Sequence, residues 1–155
     1  AYLARYHKAN LWGEALMDAG ADCKIVEFTP AAIGVTFGVF TCADLIHAWP
    51  ALDMVGRGVR HFVMPLAWSN EMAQMQPLGW LQAWSRLANA TLLAANARSN
   101  GSMSGSGIFS RGEAVAAVYD LGAAAPRGQL AVAPLPELPE DAPPPKAVCP
   151  SAAGV

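Results

Sequence analysis

Phe37-Gly38-Val39-Phe40-Thr41-Cys42-Ala43-Asp44 sets a cysteine directly after an apolar run and directly before a helical pattern. Residues 33–41 are nearly continuous in apolar side chains (Ile33, Val35, Phe37, Val39, Phe40), the pattern of a strand covered on both faces. Residues 43–57 carry Leu45, Ile46, Leu52 and Val55 near one helical stripe. Pro50 interrupts that helix, and Gly56 and Gly58 end it. A strand that feeds directly into a helix is the local unit from which an α/β sheet is built.

The same alternation continues on both sides. Residues 61–66 read as a strand. Residues 78–90 read as a helix, with Leu78, Leu81, Trp84, Leu87 and Ala88 at helical spacing, and residues 91–96 as another buried strand. Upstream, residues 1–16 read as a strand end running into a polar loop, and residues 23–28 as a short strand closed by Thr29-Pro30. Downstream, a Gly/Ser-rich loop at 99–107 precedes expected strands at 114–119 and 129–132. The whole is α/β. From Pro134 the chain is rich in Pro, Glu and Ala and cannot hold a core, so residues 134–155 read as a linker or disordered tail.

Composition narrows the function. The 155 residues are 54% hydrophobic and only 14% charged, more apolar than a free-standing domain usually is. That excess implies surface hidden against further sequence or another subunit, which leaves a homo-oligomer open. A net charge of −2 gives no electrostatic case for nucleic acid or an anionic membrane. No apolar run approaches the roughly 18 residues of a membrane span. The chain begins with Ala rather than Met and no signal peptide precedes the fold, which reads as a processed or incomplete product. His47 and His61 have no ligand-like spacing to other His, Cys or acidic residues, so no metal site is expected.

Three cysteines (Cys23, Cys42, Cys149) are too few for a disulfide scaffold and leave at least one unpaired. Cys42 alone has a setting that favours a nucleophile. The amino end of a helix offers N–H groups without intrahelical partners and a positive dipole end, which stabilise a thiolate and can receive an oxyanion. Asp44 falls in the first helical turn, where a carboxylate caps well. Against this stands the commonest fate of a free cysteine, a small buried apolar residue. Cys23 and Cys149 read as inert or paired with parts outside the chain.

The residues around Cys42 resemble the nucleophile segment of the biotinidase/vanin (pantetheinase) branch of the nitrilase superfamily. Three more blocks resemble that family in the same order: Arg5-Tyr6-His7-Lys8-Ala9-Asn10-Leu11-Trp12-Gly13-Glu14, Pro65-Leu66-Ala67-Trp68, and Leu92-Leu93-Ala94-Ala95-Asn96 followed by Ser104-Gly105-Ser106-Gly107-Ile108-Phe109. The resemblance implies an αββα sandwich of the nitrilase type, incomplete here, with residues 1–133 forming the carboxy-terminal part of a carbon–nitrogen hydrolase domain. It implies hydrolysis of a small linear amide, pantetheine- or biotin-amide-like, with no metal or organic cofactor.

In that reading Cys42 is the nucleophile. Lys8 matches the family lysine, which stabilises the oxyanion alongside the N–H of Ala43, and Glu14 matches the glutamate that orients the lysine. Trp68 walls the pocket, while Asp44 and Asn96 support the site. The family's general base is a glutamate upstream of the lysine. None of the seven residues before Lys8 is acidic, so this stretch by itself is expected to be inactive. His47-Ala48-Trp49-Pro50 stands where the family carries His-Asp-Pro, displaced and without the Asp, and this departure bears on substrate specificity. Two alternatives remain: a catalytically silent binding or structural member, and a general aliphatic amidase or nitrilase. The family and the sequons Asn89-Ala90-Thr91 and Asn100-Gly101-Ser102 imply secretion or a cell-surface location.

Overall fold

The computed structural model describes residues 3–20, 22–71, 76–99, 102–122 and 128–137. Its centre is a six-stranded sheet in simple chain order. The strands are β1 (Glu27–Phe28), β2 (Phe37–Val39), β3 (His61–Leu66), β4 (Thr91–Asn96), β5 (Ser106–Ser110) and β6 (Glu113–Val118). β2, β3 and β4 run parallel, and β1, β5 and β6 are added antiparallel. Parallel neighbours need crossover connections. The first crossover is a 3₁₀ helix, Cys42–Ile46, followed by α1 (Ala51–Gly56); the second is α2 (Pro77–Leu87).

Both helices lie on one face of the sheet. There Phe62, Met64 and Leu66 of β3, Leu92 and Ala94 of β4 and Phe109 of β5 join Met54 and Val55 of α1 and Leu81 and Trp84 of α2 in one buried cluster. Phe62 meets Trp84 edge-on at 5.1 Å and Phe40 at 5.8 Å. Gly38 makes this possible: a Cβ there would lie 2.7 Å from the Phe62 ring. Among the described residues no helix lies on the opposite face. A directly paired row of Val39, Val63, Leu93, Ile108 and Ala116 crosses it, only partly buried. The mixed sheet thus carries helices on one face and leaves an apolar, partly buried row on the other.

The strands expected at 61–66 and 91–96 are present with those bounds, and the helix expected at 78–90 is α2. Other expectations are corrected. The strand of 23–28 shrinks to Glu27–Phe28, and Cys23 adopts a left-handed backbone (φ 46°) that no strand continues through. The strand of 33–41 shrinks to Phe37–Val39, because the Ile33 and Gly34 amides turn back onto the Pro30 carbonyl at 3.0 and 2.9 Å. The helical stretch of 43–57 is interrupted at Pro50 as expected: a 3₁₀ piece ends at Ile46, and α1 starts directly after Pro50, which is its N-cap. Residues 99–107 are not all loop: Ser106 opens β5, whose Ile108 and Phe109 carried an apolar signal that the glycines masked. Residues 129–132 form no strand; Leu130 and Val132 are exposed and find no ladder partner. Residues 3–16 hold no strand either. Most of the expected 134–155 tail lies outside the described residues.

Candidate active site

Cys42 stands at the carboxyl end of β2, where an α/β sheet exposes the residues that meet ligands. Its backbone is left-handed (φ 51°) although it is not glycine. Such a conformation costs on the order of 1–3 kcal/mol and persists where the surroundings hold it. Cys42 opens the 3₁₀ helix, with Phe40 and Thr41 between it and the end of β2, and its side chain lines a cavity. Cys42 is a free thiol, whereas Cys23 is disulfide-bonded.

A cavity of about 320 Å3 opens beside the thiol, lined by Trp12, Cys42, Ala43, Ile46, Ala67, Trp68, Ser69 and Trp80. Three of the chain's five tryptophans are among them. Trp68 and Trp80 lie with ring centroids 6.1 Å apart. No lining side chain carries a charge.

Trp68 is anchored through its backbone. Its N–H donates to Asn96 Oδ1 at 2.9 Å, and Asn96 Nδ2 donates to the Trp68 carbonyl at 3.1 Å and to the Ser104 carbonyl at 2.6 Å. Asn96 therefore acts through Trp68 and does not itself line the cavity. The loop that follows is held in the same way: the Asn70 amide and Nδ2 both donate to the Ser102 carbonyl, at 2.6 and 3.0 Å.

Lys8 and Glu14 form an ion pair between Nζ and Oε1, and the Trp12 amide donates to the other Glu14 oxygen. The hydrogen bond from Lys8 holds the Glu14 carboxyl below the ordinary glutamate range. This pair does not line the cavity, but Trp12, between the two in sequence and bonded to Glu14, does.

Asp44 is fully buried. Its Oδ2 accepts the Tyr6 hydroxyl at 2.8 Å and the Thr41 amide at 2.9 Å; its Oδ1 accepts both the amide and the Nδ2 of Asn10, each at 2.8 Å. Asp44 thus caps the Cys42 turn, as expected, and also reaches the Lys8 segment, which was not. Burial, with Asp44 adding its charge, pushes the Tyr6 phenol far above its ordinary value. The Trp49 carbonyl takes a further hydrogen bond from Asn10 Nδ2 at 2.8 Å, beside the cis Trp49–Pro50 peptide.

Of the residues expected at the site, Cys42, Ala43 and Trp68 share the cavity, and Lys8 and Glu14 pair with each other. Sequence reading missed Trp12 and Trp80 as lining residues, and Tyr6 and Asn10 as partners of Asp44. Trp12, Tyr6 and Asn10 stood inside the lysine block without a signal of their own; Trp80 looked like one more helical aromatic. Among the described residues no group of three or more His, Cys, Asp or Glu could hold a metal ion. Burial depresses the pKa of His61. Asn89 lies in the turn after α2, and Asn100 lies outside the described residues. No described helix is long and apolar enough to cross a membrane.

No protein-family profile matches the chain. Curated proteins do. Biotinidase of Takifugu rubripes is 42% identical over 108 residues, covering 69% of this chain and 21% of that protein. Pantetheinase of Homo sapiens is 34% identical over 122 residues, covering 77% of this chain and 23% of that protein. The matched part of the chain belongs to the biotinidase/vanin branch of the nitrilase superfamily. The chain spans about a fifth of the length of these relatives. Among solved structures, a mutant of the amidase from Nesterenkonia sp. AN1, carrying the Michael adduct of acrylamide at its active-site cysteine, superposes with a TM-score of 0.62. It is 19% identical, and the match covers 74% of this chain and 46% of that one. The shared fold is the nitrilase-superfamily mixed sheet with its helices.

Proposed function

We propose that Cys42 is the nucleophile of a thiol amidohydrolase that cleaves a linear amide, pantetheine- or biotin-amide-like. The observation that carries this reading is a free thiol held in a left-handed turn at a strand end, on the wall of an uncharged, tryptophan-lined cavity. Names of relatives add support: biotinidase and pantetheinase, and an amidase with an active-site cysteine.

The Cys42 sulfur attacks the amide carbonyl carbon to give a tetrahedral intermediate. The carbon–nitrogen bond breaks, and the amine leaves with a proton. Water then attacks the thioester carbon, the carbon–sulfur bond breaks, and a carboxylic acid is released. Lys8, oriented by Glu14, and the Ala43 amide would stabilise the oxyanion. Trp68, Trp80 and Trp12 would take the neutral acyl chain. Proton transfer to the leaving amine, typically worth roughly 10²–10⁴-fold, would fall to a general-base glutamate. The disulfide at Cys23 agrees with an oxidising, secretory compartment.

The test is iodoacetamide labelling of the full-length protein beside Cys42→Ala, with hydrolysis assayed on pantetheine and biotinyl amides. Cys42 should label faster than a free model thiol at neutral pH. Its removal should abolish labelling and lower turnover by several orders of magnitude, ~10⁶-fold being the scale for losing a nucleophile from a working unit. Slow labelling together with intact amides would defeat the reading. Labelling without hydrolysis would favour a catalytically silent member.

A further inference from the structure

Lys8 is bracketed two residues before and two residues after by Tyr6 and Asn10, and both end on the carboxylate that stands two residues after Cys42. We propose that Asp44 is a positioning residue that latches the Lys8 segment to the Cys42 turn, so that the lysine charge is set against the thiol. This rests on the proposed roles of Lys8 and Cys42.

The hydrogen-bond inventory favours a carboxylate at this point. All four partners are donors: the Tyr6 hydroxyl, the Asn10 amide, the Asn10 Nδ2 and the Thr41 amide. A carboxylate accepts at both oxygens, whereas an asparagine in either orientation would turn an NH₂ group toward two donors. Asp44 is fully buried, so an NH₂ group turned toward these donors would leave them unsatisfied inside the protein. The Tyr6 hydroxyl in turn accepts the Ala9 amide at 3.1 Å, so the residue next to Lys8 is fixed through the same latch. The donors span 34 and 38 residues of sequence, so the carboxylate joins two segments that share no strand ladder.

The test compares alkylation of Cys42 by iodoacetate, an anion, with alkylation by neutral iodoacetamide, in the full-length protein. The ratio of the two rates senses a cation beside the sulfur, and loss of overall stability alone does not move it. Lys8→Gln should lower the ratio by roughly threefold, the effect of one unit charge a few ångströms away in a watery site. Tyr6→Phe and Asn10→Ala, each keeping a cooperative melt, should move it most of the way to the Lys8→Gln value. If one of the two fails to fold, the other carries the comparison. If Lys8→Gln lowers the ratio and neither latch variant does, Asp44 is merely structural and the proposal falls. If Lys8→Gln itself leaves the ratio unchanged, the proposed role of Lys8 fails, and the latch fails with it.

Discussion

Phe62 and Asp44 are both fully buried, and they are buried by opposite means. Phe62 lies under α1 and α2, in a region where strand and helix patterns repeat and where Phe40, Trp84 and the bare backbone of Gly38 close on its ring. Asp44 lies in the short 3₁₀ helix after β2, where the Lys8 loop meets it, and four donors surround it. The first region draws its stability from apolar area, which is additive and tolerant of direction. The second depends on a few directed bonds, each expensive to leave unmade. The sheet is therefore a scaffold, and the loops beside Cys42 form a device whose geometry hangs on one side chain.

Three substitutions probe this contrast, in descending order of expected effect. Phe62→Ala should lower global unfolding free energy by about 3–5 kcal/mol, the usual cost of emptying a buried aromatic site. Denaturant unfolding would register it, and a loss below about 1 kcal/mol would mean that the covered face is not the stabilising core. Asp44→Ala should cost less globally, about 1–3 kcal/mol, because water can enter the vacated site and satisfy some of the donors. Its mark is local: hydrogen exchange at the Asn10 and Thr41 amides should accelerate while amides of β3 and β4 keep their protection. Equal acceleration in the strands would erase the distinction between the two regions.

The smallest effect belongs to the exposed end of the loop device. The Glu14 carboxyl is held low by Lys8, so its pairing contributes fully above the ordinary glutamate range and fades as pH falls through its depressed value. Wild type and Glu14→Gln should therefore differ slightly at pH 7 and converge in acid. A gap that widens on acidification would contradict that sign.

These regions also differ in how far the sequence disclosed them. β3 and β4 were legible to the residue because an unbroken apolar run between turn signals has few other solutions. β5 was not, because Gly105 and Gly107 made its first half look like loop; the strand exists because the chain folds back antiparallel on β4, with Ile108 opposite Leu93. Cys42, Lys8, Glu14 and Trp68 were legible through ordered resemblance to a family. Trp80 was not, because a helix pattern fixes spacing but not what another chain segment brings to that face.

The sequence by itself determined the alternation of strands and helices, the setting of Cys42 between the two, and the block order that marks the family. Each is encoded in neighbouring residues or in a local period. Only the tertiary structure decided that Asp44, thirty-four residues from Asn10, is where the lysine loop is held, and that Trp12, Trp68 and Trp80 share one cavity with the thiol. Those contacts join segments far apart in the chain, and no local pattern specifies which distant donor a carboxylate will meet once both are buried.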